Sequence, residues 1–396
     1  MNRLLGSTLI IIGTSVGGGM LGLPIATAHC GFLGALALFV FCWLFMTLGA
    51  CLIIEVNLWF PSGTNMITMA KKTLGPKGHL LMWCLYLALL YSLLAAYTAS
   101  GNDVLHDLLQ RAGWHLSLKS NVFLFMALFG VVVVAGIRYV DMVNRSLMSA
   151  KLIVYAALVI FLLPKIHSPA LHTWHPTYLS SAMAIVITSF GFGHILPSLR
   201  EYLQDNVRDI KRAIWIGSSV PFFVYVLWII ATMGVLPRYG AHGLLAMQHA
   251  AQPVSELANA LALLSKSTWV NLFAHVFVSI CVATSFLSVA LGLSDCLADG
   301  LHWPKHSVKG VGVYLLTFLP PLVLVVAYPD AFLLGLRYAG IFCVALLVLL
   351  PALMAWAGRG RYQSKAIFQL KGGTPMLGLL ILLSIFVITL AAIYPL

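Results

Sequence analysis

Two stretches of the chain carry the residue types best placed to do chemistry. One is Gly13-Thr14-Ser15-Val16-Gly17-Gly18-Gly19-Met20-Leu21-Gly22-Leu23-Pro24; the other is Ser189-Phe190-Gly191-Phe192-Gly193-His194-Ile195-Leu196-Pro197. Both set glycines a few residues ahead of a proline inside a long apolar run. Glycine costs a helix backbone entropy and proline removes a donor, so each run is expected to be unwound in its middle. Unwinding frees N–H and C=O groups, which a membrane interior tolerates only where they line a cavity. The amides of Gly17, Gly18 and Gly19, at the start of a second half-helix, suit a carboxylate with the positive end of a helix dipole behind them. Carbonyls near Thr14, or around Phe190 and Gly191, suit an ammonium group. The chemistry expected is the binding of a zwitterion.

Other motifs in these stretches lack the context they need. Gly17-x-Gly19-x-x-Gly22 matches a dinucleotide fingerprint and Gly13-x-Ser15-x-Gly17 a nucleophile elbow, but both require a preceding strand. The pairs Gly13/Gly17 and Gly18/Gly22 also read as helix-packing motifs, a reading that explains neither the third glycine nor the proline. No HExxH pattern or credible triad is visible, so an enzyme is not the expectation. The seven cysteines lie in or beside apolar runs without metal-site spacing, and neither a metal nor a cofactor is expected.

The elements that must hold these stretches are membrane-spanning helices. Of 396 residues, 61% are hydrophobic and 9% charged, whereas soluble domains run near one quarter charged. Apolar runs of about twenty residues alternate with short polar segments, the pattern of bilayer-spanning helices. Eleven runs can be placed, at about 5 to 30, 33 to 58, 79 to 101, 121 to 137, 147 to 165, 181 to 199, 212 to 236, 270 to 297, 308 to 328, 332 to 356 and 375 to 395. They leave no room for a soluble domain. Arg3 and Ala26-Thr27-Ala28 imitate a signal peptide, but glycines and Pro24 interrupt its apolar core, so a broken first span fits better. The net charge of +12 is not accompanied by a soluble basic face, and no nucleic-acid partner is expected. With the N-terminus cytoplasmic and the C-terminus periplasmic, 17 of the 23 Lys and Arg fall on the cytoplasmic side, Lys71, Lys72 and Lys365 among them. The segment 237–268 is too polar and short to span, and is expected to form an amphipathic helix over the external face.

The two broken runs are five places apart in the order, an odd number, so the sixth must start on the opposite side of the membrane from the first. That predicts two inverted repeats, over 5–166 and 181–357, with 375–395 as an additional helix in a single transmembrane domain. Interrupted helices at matching positions of two halves point to a binding site at the bilayer midplane. A channel fits less well, since paired breaks suit an occluded site better than a continuous pore.

With these residues in view the chain resembles the bacterial aromatic amino acid permeases. The resemblance rests on Gly13 to Leu21 with Pro24, and extends through Asn144-Arg145, Ser149-Ala150-Lys151, Thr188 to Phe192, Ala283 to Leu287, Val289 to Leu293, Phe318-Leu319-Pro320-Pro321 and Lys371-Gly372-Gly373. It is nearer to the tyrosine-transporting members than to the tryptophan-transporting ones. It implies an all-α protein of eleven transmembrane helices with a LeuT-like 5+5 inverted repeat. It also implies proton-driven symport of aromatic amino acids, tyrosine first, across a bacterial inner membrane. Sodium coupling or a broader amino acid range remain the alternatives.

The substrate is then expected among Thr14, Gly17, Gly18, Gly19, Tyr91, Ser189, Phe190, Gly191 and Phe192. Phe190 and Phe192 flank the second break, and Tyr91 sits at mid-depth in the third run; Tyr97, six positions on, is about 240° around the helix and cannot face the same pocket. Proton coupling is expected to involve Lys151, Glu55, Thr284 and Ser285, because burying ionisable groups in hydrocarbon is costly and marks function. Lys151 resembles the lysines that replace a bound sodium ion in proton-coupled relatives of the fold. Thr284 and Ser285 resemble the hydroxyl pair that helps bind sodium in others, although hydroxyls also bond back to their own helix. Glu55, near the end of its run, has an ordinary alternative in pairing with Lys71 or Lys72. Asp295 and Asp299 are expected to meet basic loop residues, and His194 to be satisfied by backbone carbonyls.

Overall fold

The computed structural model describes residues 3–305, 308–328, 331–362 and 367–393; Lys365 and residues 394–395 of the last expected run lie outside these. Among the described residues all regular structure is helical. The first run is α1 (Arg3–Ser15), a 3-10 turn (Gly18–Gly22) and α2 (Leu23–Ala26). Next come α3 (Gly31–Asn57), α4 (Met66–Arg111), α5 (Leu118–Ala135) and α6 (Ile137–Leu162). The sixth run is α7 (Leu179–Ser189), a 3-10 turn (Phe192–Ile195) and α8 (Leu196–Tyr202). Then follow α9 (Val207–Val235), α10 (Pro253–Ser265), α11 (Thr268–Leu301) and α12 (Val308–Ala327). The tenth run, α13 (Ala331–Val344) and α14 (Leu350–Tyr362), contains a π turn (Ala345–Leu349), and α15 (Gly373–Ile393) ends the described chain.

Ten helical segments are long and apolar enough to cross a membrane, and the α1–α2 pair, bent by 44° at its break, raises the number to as many as eleven. Their outer faces carry side chains such as Val131, Ile153, Phe223 and Leu382, all exposed, which only lipid tails can cover. The small polar side chains, among them Ser7, Thr47, Ser218 and Thr232, are turned inward and bond to carbonyls or to one another. The molecule is therefore a multi-span membrane protein.

Three boundaries differ from the sequence reading. The α4 helix extends beyond 79–101 at both ends. Asn65 caps its start by accepting from the Thr68 amide, and Gly75, at φ 77, turns the chain before Pro76. At the other end Asp103 and Asp107 continue the helix because their partners are protein groups; Asp103 accepts from the amides of Val254 and Ser255, at 2.9 and 3.1 Å, at the start of α10. The α6 helix begins ten residues earlier than 147, since Asp141 and Arg145 pair along one turn, too polar to count in an apolar run. The external amphipathic helix is confined to α10, with Ala246–His249 forming a separate turn.

The helices pack on one another along their lengths. Helix α4 lies on α13 while α11 lies on α6; α1 lies on α9 while α7 lies on α3; α4 and α11 meet each other, as do α3 and α9. Close approach is obtained through small residues, for instance Gly340 of α13, where any Cβ would collide with the carbonyl of Ala184 in α7.

Glu55 has a different partner from those expected. Its carboxylate, 0% exposed, receives Nε and Nη2 of Arg359 at 2.8 and 3.0 Å and the amide of Leu370 at 2.8 Å. Lys72 instead stands over the ring of Phe60. A forked guanidinium satisfies both carboxylate oxygens, which a single ammonium cannot do. Glu55 thus joins α3 to α14. Breaking a buried pair leaves a charge without a counterion and costs about 3–5 kcal/mol, whereas an exposed pair contributes at most about 1 kcal/mol. Arg359→Met is expected to lower the unfolding temperature of the purified protein in detergent markedly. Lys305→Met should change it little, because its partner Asp295 is 59% exposed. Equal shifts in the two variants would refute this ranking.

Candidate functional site

The two breaks lie side by side and are joined by one hydroxyl. At Gly17 the backbone is extended (φ -155, ψ -154) between α1 and the turn that follows. Tyr225 of α9, wholly buried, has its hydroxyl 2.6 Å from the Ser15 carbonyl and 2.8 Å from the Ser189 carbonyl, so a single proton is shared between the ends of α1 and α7. Trp228, three residues along the same helix, donates Nε1 to the Met20 carbonyl at 3.1 Å.

The groups freed at the first break are answered by three other helices. The Gly18 amide donates to Ser285 Oγ of α11 at 2.7 Å. The hydroxyl of Tyr97 in α4 stands beside Gly19, 3.7 Å from where a Cβ would be. The Val16 carbonyl accepts from Lys151 Nζ of α6 at 2.5 Å. Lys151 is 1% exposed, so it is turned into the bundle and does not reach for a headgroup region. At the second break His194 Nδ1 lies 3.1 Å from the Gly191 carbonyl, and Ser189 Oγ faces Gly19, 3.4 Å from where a Cβ would stand.

Beside the breaks a cavity of about 880 Å³ opens. Its walls are single faces of helices, read at three- and four-residue spacing: Gly6, Ile10, Gly13 and Gly17 on α1, Tyr86, Leu90, Leu93 and Tyr97 on α4, Asp141, Asn144, Met148 and Lys151 on α6. From α11 come Thr284, Ser285, Ser288 and Gly292. The floor is formed by Gly17, Tyr97, Lys151 and Ser285. The mouth lies by Gly6, Asp141, Arg145 and Tyr202, on the side of the membrane where α1 begins.

The opposite side is clasped shut. Gln248 donates to the Ile25 carbonyl at 2.7 Å, Arg238 to the His29 carbonyl at 2.8 Å, and Asp103 holds the start of α10. Burial of the His29 imidazole, helped by the Arg238 charge, holds its pKa below the usual histidine value. The ring therefore stays neutral beneath the clasp at neutral pH.

The expected site residues divide accordingly. Thr14, Gly17, Gly191, Lys151, Thr284 and Ser285 border the cavity. Gly18, Gly19 and Ser189 stand at the breaks but are not among the residues that line the cavity, and the Gly18 amide is held by Ser285. Thr284 and Ser285 act differently, since Thr284 donates to the Ile280 carbonyl of its own helix at 2.8 Å while Ser285 serves Gly18. Phe190 and Phe192, each 1% exposed, do not line the cavity; Phe190 packs edge-on against Phe39 and Tyr225 in the core. Tyr91 is also displaced from the site, because its hydroxyl donates to the Leu316 carbonyl of α12 at 2.8 Å. Tyr97 takes the place expected of it. The available signal was the small residues around Tyr97, since Ala95, Ala96, Ala99 and Ser100 mark the buried part of α4. Glu55, paired with Arg359, stands outside the cavity. Tyr225 carries no comparable signal, being one aromatic residue among many.

Comparison with known proteins shows the family. The chain matches the tryptophan/tyrosine permease family over residues 1–391. It is 34% identical over 394 residues to tyrosine-specific transport system 2 of Haemophilus influenzae, covering 98% of this chain and 95% of that protein. Tyrosine-specific transport system 1 of the same organism is 32% identical over 390 residues, covering 98% and 96%. The tryptophan-specific transport protein of Pseudomonas aeruginosa is 32% identical over 389 residues, covering 96% and 92%. With a match that runs the length of the bundle and includes both breaks, the chain belongs to the tryptophan/tyrosine permease family, which is a family of transporters and not of enzymes.

Proposed function

We propose that this permease imports an aromatic amino acid, tyrosine as the first choice, by proton symport with alternating access across a bacterial inner membrane. The observation that carries the reading is the Lys151 ammonium on the Val16 carbonyl at the floor of the cavity. A fixed positive charge there occupies a carbonyl freed by the break, a position suited to a bound cation, and its charge can be removed by losing a proton. Tyrosine-specific relatives favour tyrosine, while the tryptophan-specific ones make tryptophan the next candidate.

The paired packing supports a LeuT-like 5+5 arrangement, with α1 to α6 exchanged against α7 to α14 and α15 added. In that scheme α4 on α13 corresponds to α11 on α6, and α1 on α9 to α7 on α3. Counting basic residues puts the N-terminus in the cytoplasm. The cavity then opens inward and the clasp of Gln248, Arg238 and α10 closes the periplasmic side. The apolar walls of Leu89, Leu90, Leu93 and Met148 suit an aromatic ring, and the floor suits its zwitterion. On carboxylate binding the Gly18 amide exchanges the Ser285 hydroxyl for a charged acceptor, a stronger hydrogen bond, and the Gly19 amide joins it. Protonated Lys151 holds the first break, and loss of its proton inside releases that hold.

Three outcomes are expected. Gly18→Ala places a methyl 2.8 Å from Cε1 of Tyr97, whereas a methyl at Gly19 meets Ser189 Oγ at 3.4 Å. Overpacking of this kind costs about 1–3 kcal/mol, so Gly18→Ala should weaken tyrosine binding by about tenfold or more and Gly19→Ala by less. The reverse order would contradict the floor geometry. In competition for labelled tyrosine, aromatic amino acids should rank far above leucine and alanine, and equal competition by all of them would leave only a general amino acid permease.

Lys151→Ala should preserve tyrosine exchange in proteoliposomes yet lose accumulation driven by a pH gradient. One charge crossing the full potential is worth about 2.3 kcal/mol per 100 mV, enough to drive uptake when coupled. Accumulation by the variant on a proton gradient, or a sodium requirement in the wild type, would remove Lys151 from the coupling role.

A further inference from the structure

One side chain on the cavity wall has no part in holding a zwitterion. His194 lies in the turn Phe192–Ile195, just beyond Gly191, and borders the cavity. Its Nδ1 is 3.1 Å from the Gly191 carbonyl, which can only accept, so in the neutral ring Nδ1 carries the proton and Nε2 is an acceptor. Among the described residues no hydrogen bond reaches Nε2, and the residue borders the cavity. Of the neighbouring polar groups, the hydroxyls of Thr14, Thr188 and Ser288 donate to carbonyls of their own helices, Asp141 pairs with Arg145 at the mouth, and Asn144 donates Nδ2 to Ser288 while its Oδ1 has no partner among the described residues.

The inference rests on the transport reading above, which fixes a zwitterion at the floor. A ring attached to it has one direction to take. Towards the clasped side the space is filled by Phe190, Tyr225 and Trp228, all buried. Towards the mouth it meets the apolar walls of Leu89, Leu93 and Met148 and then the level of His194, Ile195 and Asn144. We propose that His194 Nε2 accepts the hydrogen bond from the donor on the substrate ring, a phenolic O–H or an indole N–H, and so selects aromatic amino acids that carry such a donor.

An acceptor that loses water without gaining a donor is costly to bury, so a ring lacking the donor is disfavoured beyond the loss of one contact. Phenylalanine would leave Nε2 without a partner, whereas tyrosine and tryptophan supply one. The Gly191 carbonyl matters here because it fixes the tautomer. His194 is thus a specificity residue whose aim is set by the second break itself.

The test is competition for labelled tyrosine on the purified full-length protein, using tyrosine, tryptophan, phenylalanine and 4-fluorophenylalanine, the last close to tyrosine in shape but without the donor. The wild type should favour tyrosine over both donor-free rings by about tenfold. His194→Leu should lose that preference by weakening tyrosine about tenfold while leaving phenylalanine within about twofold. His194→Gln, whose amide oxygen can stand near Nε2, should retain it. Equal wild-type affinity for tyrosine and 4-fluorophenylalanine would overturn the proposal, and that comparison needs no variant to fold. Equal weakening of tyrosine and phenylalanine by His194→Leu would overturn it as well. Failure of the wild type to bind any aromatic amino acid would overturn the transport reading, and this inference with it.

Discussion

Backbone that leaves its helix inside hydrocarbon must find a partner for each freed N–H and C=O, and this obligation organises the bundle. Around the two breaks the partners are side chains drawn from different helices. Tyr225 takes the Ser15 and Ser189 carbonyls, Lys151 the Val16 carbonyl, Ser285 the Gly18 amide and Trp228 the Met20 carbonyl. Helices α6, α9 and α11 are thereby fixed against the first break by directed bonds. Apolar packing alone would leave their rotations poorly determined, because lipid tails are as apolar as the side chains they compete with.

The same bonds suit reversible binding. A neutral hydrogen bond contributes only about 0.5–1.5 kcal/mol net, because its loss is offset when another partner takes its place. A neutral hydroxyl on a glycine amide, such as Ser285 Oγ on Gly18, is thus a partner that a charged acceptor can replace.

The two breaks were legible because composition reports directly where a helix cannot continue, as at Gly17 to Gly19 and at Gly191 with Gly193. What answers the freed groups was not, since Ser285 is 267 residues from Gly18 and no local pattern links them. Rotation about a helix axis was the second blind spot. Mid-depth position favoured Tyr91 over Tyr97, but the cavity face of α4 is set by which residues pack on α11 and α13, and those contacts put Tyr97 inward. Phe190 and Phe192 flank the break in sequence, yet a flanking ring can pack behind the site as readily as in it. Charge partners failed for a related reason. The nearest basic residues in sequence to Glu55 were Lys71 and Lys72, while the fork that matches a carboxylate came from Arg359 of α14.

The asymmetry between the two ends of the cavity bears on how an alternating cycle can run. One end is closed by specific polar bonds, from Gln248, Arg238 and Asp103, which stay satisfied only while α10 remains docked. The other end is open, and its facing walls carry Gly6 and Gly13 on α1 and Gly292 on α11, with open space where a Cβ of Gly292 would stand. Small residues on facing helices allow backbones to approach closely. Closing the mouth therefore needs little repacking on that side, while opening the far side must break the clasp. Opening the clasped end accordingly exchanges polar bonds for water, a cost that the open end does not carry.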